Sequence, residues 1–134
     1  MARRVVCKPQ FFRELADVVG MLKALQILRE NPRALREYAD IILRVACEVV
    51  KHVELCELAE CLDDLARDYD ALIREHTHCL PYARECKPDW LAVERDERFR
   101  DLLKRVQEVV DKILALTPEA IIMWASDACS VEDS

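Results

Sequence analysis

The longest stretch of this sequence that no helix-breaking residue interrupts lies between Pro32 and Pro81. Residues 33–80 contain neither Gly nor Pro, so nothing there forces a helix to end. On a helical wheel, however, the apolar residues form two stripes that point in roughly opposite directions. The first comprises Leu35, Tyr38, Ile42, Val45, Ala46, Val49 and Val53, and the second comprises Leu55, Leu58, Leu62, Leu65, Tyr69 and Leu72.

The two stripes change over near His52–Leu55, and two structures are compatible with that change. The chain either breaks there into two helices, or it continues as one long helix that buries opposite faces against different neighbours. A small bundle rarely covers both sides of one helix, so the second interpretation would indicate assembly with other subunits.

The rest of the sequence also favours helices. Its 134 residues include a single Gly, and 52% of them are hydrophobic and 34% charged, which predicts an ordered chain with one core. Thr117-Pro118-Glu119 has the form of a helix start, with Thr as the N-cap and Pro at the first helical position. No β-hairpin pattern is present. The expected helices cover about 9–30, one or two within 32–78, about 89–116, and 118–129.

We therefore predict an all-α protein with four to five helices in a bundle-like or extended arrangement. Residues 1–134 form a single domain, in which 1–8 is a basic arm and 130–134 an acidic tail. Few amides and many Glu and Arg are typical of hyperthermophile proteins, whose intracellular members can be disulfide-rich. With no secretory segment and no apolar run of membrane-spanning length, we expect a location inside such a cell, or in a virion assembled there.

Charge is distributed unevenly along the chain. Residues 1–36 carry eight cations and three carboxylates, so +5, whereas residues 37–134 carry twelve cations and twenty-three carboxylates, so −11. A basic arm on an acidic body predicts sequence-independent contacts with nucleic-acid phosphates, and the alternative is that the arm packs on its own acidic body. The candidate nucleic-acid-binding residues are Arg3, Arg4, Lys8, Arg13, Lys23, Arg29, Arg33 and Arg36.

Seven cysteines allow at most three intramolecular disulfides and leave one thiol. Cys79 and Cys86 can close a small loop, and Cys7 with Cys129 would join the two ends of the chain. Cys61 pairs with neither Cys47 nor Cys56 along a regular helix, because the Cα atoms would lie beyond the reach of a disulfide.

One group of residues has the chemistry of a metal site. His76, His78, Cys79 and Cys86 are all ligand types that zinc accepts, although their spacing fits no common zinc finger. The alternative is that the histidines end a helix, where cations are favourable, and that the two cysteines form a disulfide.

No other pattern predicts catalysis or a cofactor. A single Gly excludes a glycine-rich phosphate loop, and the carboxylates from Glu54 to Asp70 are typical of a solvated helix face. We therefore expect a non-enzymatic protein without a cofactor or a small-molecule substrate.

The opposed apolar stripes, the basic arm on an acidic body and the spare cysteines together suit a subunit of an assembly. In this general character the sequence resembles the all-helical coat proteins of filamentous viruses that infect hyperthermophilic archaea. No motif is shared, so no residue role is carried over. The resemblance implies a structural protein that packs against copies of itself or a related helical subunit and binds nucleic acid. The alternatives are a small subunit or adaptor of an intracellular (ribonucleo)protein complex, and a zinc-binding helical bundle.

Overall fold

A computed structural model describes residues 3–82 and 85–133. This part of the chain is 78% helical and contains five α-helices, with a small antiparallel sheet portion. The prediction of a mainly helical protein is therefore confirmed, but the expectation of no hairpin is wrong. The helices are α1 (Phe11–Glu30), α2 (Leu35–Arg44), α3 (Val53–Glu75), α4 (Trp90–Arg95) and α5 (Glu97–Ala128), and the strands are β1 (Arg3–Cys7), β2 (Thr77–Cys79), β3 (Cys86–Pro88) and β4 (Cys129–Asp133).

The chain breaks between α2 and α3, as the first interpretation of the opposed stripes predicted. A π-helical segment, Val45–Val50, follows α2, and Lys51 then adopts a left-handed conformation with φ 56° and ψ 36°. His52 is extended, and its Nδ1 accepts a hydrogen bond from the Leu55 backbone N–H at 3.2 Å. The imidazole therefore acts as the N-cap of α3. Each helix buries most of its own apolar stripe, although Val53, the last residue of the first stripe, is 71% exposed.

Most of the core lies between four helices. Helices α1, α2, α3 and α5 pack against one another and bury apolar side chains between them. The fully buried side chains include Met21, Leu25, Leu28, Leu35, Ile42, Leu55, Leu62, Val106 and Ile113. A second, smaller cluster lies at the far end of α3 and joins it to α4 and to the start of α5, where the rings of Tyr69 and Phe99 meet edge to face at 5.8 Å.

Helix α5 continues without a break through Thr117 and Pro118, where the sequence predicts that a new helix begins. Pro118 lies inside α5, and because proline has no N–H it cannot bond the carbonyl of Leu114. The Thr117 hydroxyl is buried and donates to the Ile113 carbonyl at 2.6 Å instead of capping a helix start. The actual break falls at Asp96, whose carboxylate accepts from the backbone N–H of Arg98.

The predicted arm and tail pair with each other. β1 and β4 are antiparallel, from Arg3 opposite Asp133 to Cys7 opposite Cys129. β2 and β3 form the second antiparallel pair, between α3 and α4. Residues 1, 2 and 134 of the arm and tail lie outside the described residues.

Three disulfides cross-link these elements. The predicted pairs Cys7–Cys129 and Cys79–Cys86 are both confirmed. The third, Cys47–Cys56, was not predicted, and it forms because the break at Lys51 brings the two Cα atoms to 4.7 Å. Cys61 carries the remaining thiol and is exposed.

Candidate functional site

Two of the predicted nucleic-acid contacts are ion pairs within the protein. Arg33 lies in the 3-10 turn Pro32–Ala34, directly before α2. It binds Glu94 of α4 at 2.7 Å, and its guanidinium lies 5.4 Å from the centre of the Phe99 ring. Arg36 forms a hydrogen-bonded ion pair with Asp70 of α3. These two arginines therefore hold α2 against its own acidic neighbours.

The strand cations also lie opposite acidic residues. Arg4 pairs with Glu132 at 3.7 Å, with both side chains largely exposed. Arg3 is exposed and is placed opposite Asp133 by the strand register. An exposed pair of this kind contributes little to stability, so pairing on its own does not prevent Arg4 from contacting another anion.

The other four predicted cations have no ion pair among the residues that the structure describes. Lys8 precedes α1, and Arg13, Lys23 and Arg29 lie on it, all exposed to solvent. Within residues 3–82 and 85–133, no salt-bridge partner lies within 4.0 Å of any of them. The predicted basic set thus separates into residues at β1 and at the start of α2 that pair with other elements, and residues on or just before α1 without an ion pair in the described part of the chain.

Helix α1 carries apolar side chains on its outer face as well as on its inner face. Its inner face packs through Phe11, which stacks on Trp124 of α5 with ring centres 5.2 Å apart, and continues through Val18 and Leu25 to Leu28. Its outer face carries a second row at helical spacing, in which Phe12 is 74%, Val19 41% and Ile27 38% exposed. We call the residues of this row the outer α1 stripe; they are Phe12, Ala16, Val19, Lys23 and Ile27.

Two of the carboxylates on α1 are engaged with neighbouring elements. Glu14 accepts a hydrogen bond from the Trp124 indole N–H at 3.2 Å, and Asp17 pairs with Arg44 of α2 at 3.4 Å. The third, Glu30, is exposed at the C-terminal end of the outer α1 stripe. The stripe therefore contains the cation Lys23, and Arg13 lies beside Phe12 at its other end.

An acidic face lies on α3, as the sequence predicts. Its carboxylates belong to Glu54, Glu57, Glu60, Asp64 and Asp68, all exposed. Cys61 lies between them with its free thiol exposed.

A four-residue ionic cluster joins the end of α3 to the start of α5, and the sequence did not predict it. Arg98 donates to both Asp96 and Glu75, and His76 Nε2 lies 3.0 Å from Asp96 Oδ2. The hydrogen bonds from Arg98, and then the contact with His76, hold the pKa of Asp96 well below its usual range. Arg98 likewise lowers the pKa of Glu75, and the two carboxylates raise the pKa of Arg98. Because every member of the cluster contacts another member across the two elements, the cluster fastens the end of α3 to the start of α5.

The predicted zinc ligands are arranged differently from a metal site. A disulfide joins Cys79 to Cys86, which removes both sulfurs from the ligand set, and Asp96 engages His76. His78 is exposed on β2, opposite Lys87. Among the described residues, the one group of three possible ligands with all donor atoms within 4.8 Å comprises Cys47, Cys56 and Glu60. The two sulfurs of this group are also joined in a disulfide, so they become ligands only after reduction.

Comparison with known proteins gives no further assignment. No family model, no curated protein and no solved structure matches this chain. Within the described residues, no helix is long and apolar enough to cross a membrane.

Proposed function

We propose that this protein is a non-enzymatic structural subunit that assembles with copies of itself through the outer α1 stripe. A surface helix normally turns its apolar face to the core and a polar face to solvent, yet α1 also leaves the apolar side chain of Phe12 74% exposed. Contiguous apolar surface of this kind marks interaction sites. The proposed setting is a coat-like assembly inside a hyperthermophilic cell or its virion.

The occupant we propose for the stripe is α1 of a second copy, packed antiparallel. Centred near Val19, this arrangement would set Phe12 against Ile27 of the second copy, and Ala16 against the aliphatic stem of Lys23. Arg13 would face Gln26, so no like charges are directly opposed. Two-fold contacts of this kind, in which one patch meets itself, are the commonest in homo-oligomers.

Sedimentation velocity over a range of protein concentrations tests the self-association. It is measured in a Cys61→Ser background, so that no intermolecular disulfide contributes. The wild-type stripe should give a concentration-dependent dimer, and Phe12→Ser with Val19→Ser should shift the protein to monomer because the apolar contact is removed. The matched control is Val53→Ser with Ile122→Ser, since these side chains are 71% and 66% exposed on other helices.

A monomer at every concentration, or an oligomer that the stripe substitutions leave unchanged, would rule out this interface. An oligomer that only the control substitutions disrupt would move the interface to α3 or α5. A stable monomer that also fails to bind nucleic acid would favour the adaptor of a larger complex.

Nucleic-acid binding is the second candidate function, and the free cations of α1 support it. Lys8, Arg13, Lys23 and Arg29 are exposed without carboxylate partners among the described residues, whereas Arg33 and Arg36 are engaged. Exposed arginines and lysines are the usual phosphate contacts, and an antiparallel α1 pair would double the number of these four cations. The net charge of −6 opposes binding, so the interaction should be weak and strongly salt-dependent.

Fluorescence anisotropy with duplex DNA at two salt concentrations tests this second function. Arg13→Ala with Arg29→Ala should reduce affinity at low salt and make the salt dependence shallower. Lys104→Ala with Lys112→Ala removes the same charge from the exposed side of α5 and should have less effect. Equal losses of affinity in both variants would mean that DNA responds only to the overall charge of the protein and not to the α1 cations. No binding of the wild type at low salt would exclude the function.

A further inference from the structure

Two cysteines and a glutamate meet where the π-helical segment passes into α3. Cys47 lies in that segment, whereas Cys56 and Glu60 are four residues apart on α3 and so share one helix face. The left-handed Lys51 reverses the chain between them. As a result, the two sulfurs and a Glu60 carboxylate oxygen all lie within 4.8 Å of one another.

These distances suit a metal ion once the sulfurs are reduced. In a tetrahedral zinc site, a thiolate and a carboxylate oxygen lie about 3.6 Å apart, and two thiolates about 3.8 Å apart. Cys56 Sγ and Glu60 Oε1 are already 3.7 Å apart. The Cα atoms of Cys47 and Cys56 are 4.7 Å apart, so side-chain rotation can separate the two sulfurs.

The surroundings favour a cation and give it access. An open groove of about 680 Å³ is lined by Cys47 and Glu60, and by further carboxylates. Its two arginines are already engaged, Arg44 by Asp17 and Arg67 by Asp63 at 3.0 Å. The groove carboxylates with no ion pair among the described residues are Asp40, Glu48, Glu60 and Asp64.

We infer that the protein reduced at Cys47–Cys56 binds a thiophilic divalent cation such as Zn²⁺ through Cys47, Cys56 and Glu60. A dithiol or phosphine reductant supplies the two electrons that break the S–S bond, and each sulfur takes up a proton. Metal binding then displaces both protons as the thiolates coordinate, and water completes the tetrahedron. The metal would replace the disulfide as the cross-link across the break between α2 and α3.

Zinc titration against a chromophoric chelator, with oxidised and phosphine-reduced full-length protein, tests this site. The reduced protein should bind one Zn²⁺ per chain through this site, and the oxidised protein none. Cys47→Ser should abolish the binding, and Glu60→Gln should weaken it about ten-fold or more, because loss of a residue that only orients a ligand already costs about that much. Glu57→Gln is the matched control, because Glu57 is an exposed glutamate of the same helix outside the ligand group.

Reduction also opens Cys79–Cys86, so Cys79→Ser with Cys86→Ser is measured as well, and zinc binding should persist in it. Absence of binding in the reduced protein, or affinity unchanged by Glu60→Gln, would overturn the inference. So would loss of binding in the Cys79→Ser, Cys86→Ser variant, which would assign the metal to the histidine-containing loop. If circular dichroism shows that Cys47→Ser does not fold, the exposed substitution Glu60→Gln decides the outcome.

Discussion

At the scale of single residues, Asp96 links the end of α3 to the start of α5, a role that its sequence context did not predict. Its carboxylate caps α5 through the Arg98 backbone N–H, accepts from the Arg98 guanidinium, and contacts His76 at the end of α3. Its side chain is only 15% exposed. The sequence suggested His76 as a possible metal ligand. In the structure His76 instead contacts Asp96, which lies twenty residues further on, beyond a loop closed by a disulfide.

The pKa of Asp96 gives a pH-dependent prediction. Because the folded-state pKa lies below the unfolded value of about 3.9, the ionised carboxylate stabilises the fold above that pH and loses this effect as the pH falls. Asp96→Asn keeps a capping side chain but removes the charge, so its melting temperature at pH 7 should be lower than that of the wild type. The difference should shrink below about pH 4. Thermal unfolding followed by circular dichroism measures both, and a difference that is constant with pH would contradict this role.

At the scale of elements, the local sequence predicted a helix boundary correctly where no tertiary packing opposes the helix-breaking residue. Asn31 and Pro32 end α1 as predicted, because Pro is favourable at a first helical position and nothing opposes it. At Pro118 the same rule failed. There the helix is buried through Ile113, Ala120 and Trp124, and packing on both sides of the proline offsets the lost hydrogen bond.

These two prolines predict opposite effects of substitution by alanine. In α5, Pro118→Ala restores the N–H that can bond Leu114, so the free energy of unfolding should rise by as much as about 3 kcal/mol. Pro32→Ala should be neutral or slightly destabilising, because its ring suits the local backbone and restricts the unfolded chain. Chemical denaturation measures both variants. A destabilised Pro118→Ala protein would instead support a separate helix that starts there.

At the scale of the whole molecule, the N-terminal and C-terminal strands are held together. β1 pairs with β4, Lys8 N–H donates to the Ala128 carbonyl at 2.8 Å, and a disulfide joins Cys7 to Cys129. The arm proposed to face nucleic acid is therefore anchored to the end of α5 by strand pairing and a disulfide. Its cations present a fixed surface next to the start of α1.

The sequence separations of the disulfides predict their different contributions to stability. Cys7–Cys129 spans 122 residues and Cys79–Cys86 spans 7. The loop-entropy model gives about 5 kcal/mol for the first and about 2.5 kcal/mol for the second. Double Cys→Ser variants of each pair, compared by denaturant unfolding, should therefore differ in stability. Equal losses would mean that strand pairing already constrains the ends in the unfolded ensemble.

The sequence by itself determined the features that depend on nearby residues. Apolar periodicity predicted the helices and the change of face near His52–Leu55, while the reach of a disulfide made Cys79–Cys86 feasible. These predictions succeed because backbone hydrogen bonds and side-chain spacing depend on residues within one or two helical turns.

Only the tertiary structure decided which face of α1 is buried, which cations are engaged, and that Cys47 bonds Cys56. Phe11 and Phe12 are equally apolar in the sequence, and contact with Trp124 selects Phe11. Arg33 and Arg13 are equally basic, but only Arg33 meets a carboxylate among the described residues. Such choices depend on contacts between distant segments, whose geometry no local pattern contains. The same contacts between distant segments determine that the outer α1 stripe and the Cys47–Cys56–Glu60 group lie at the surface.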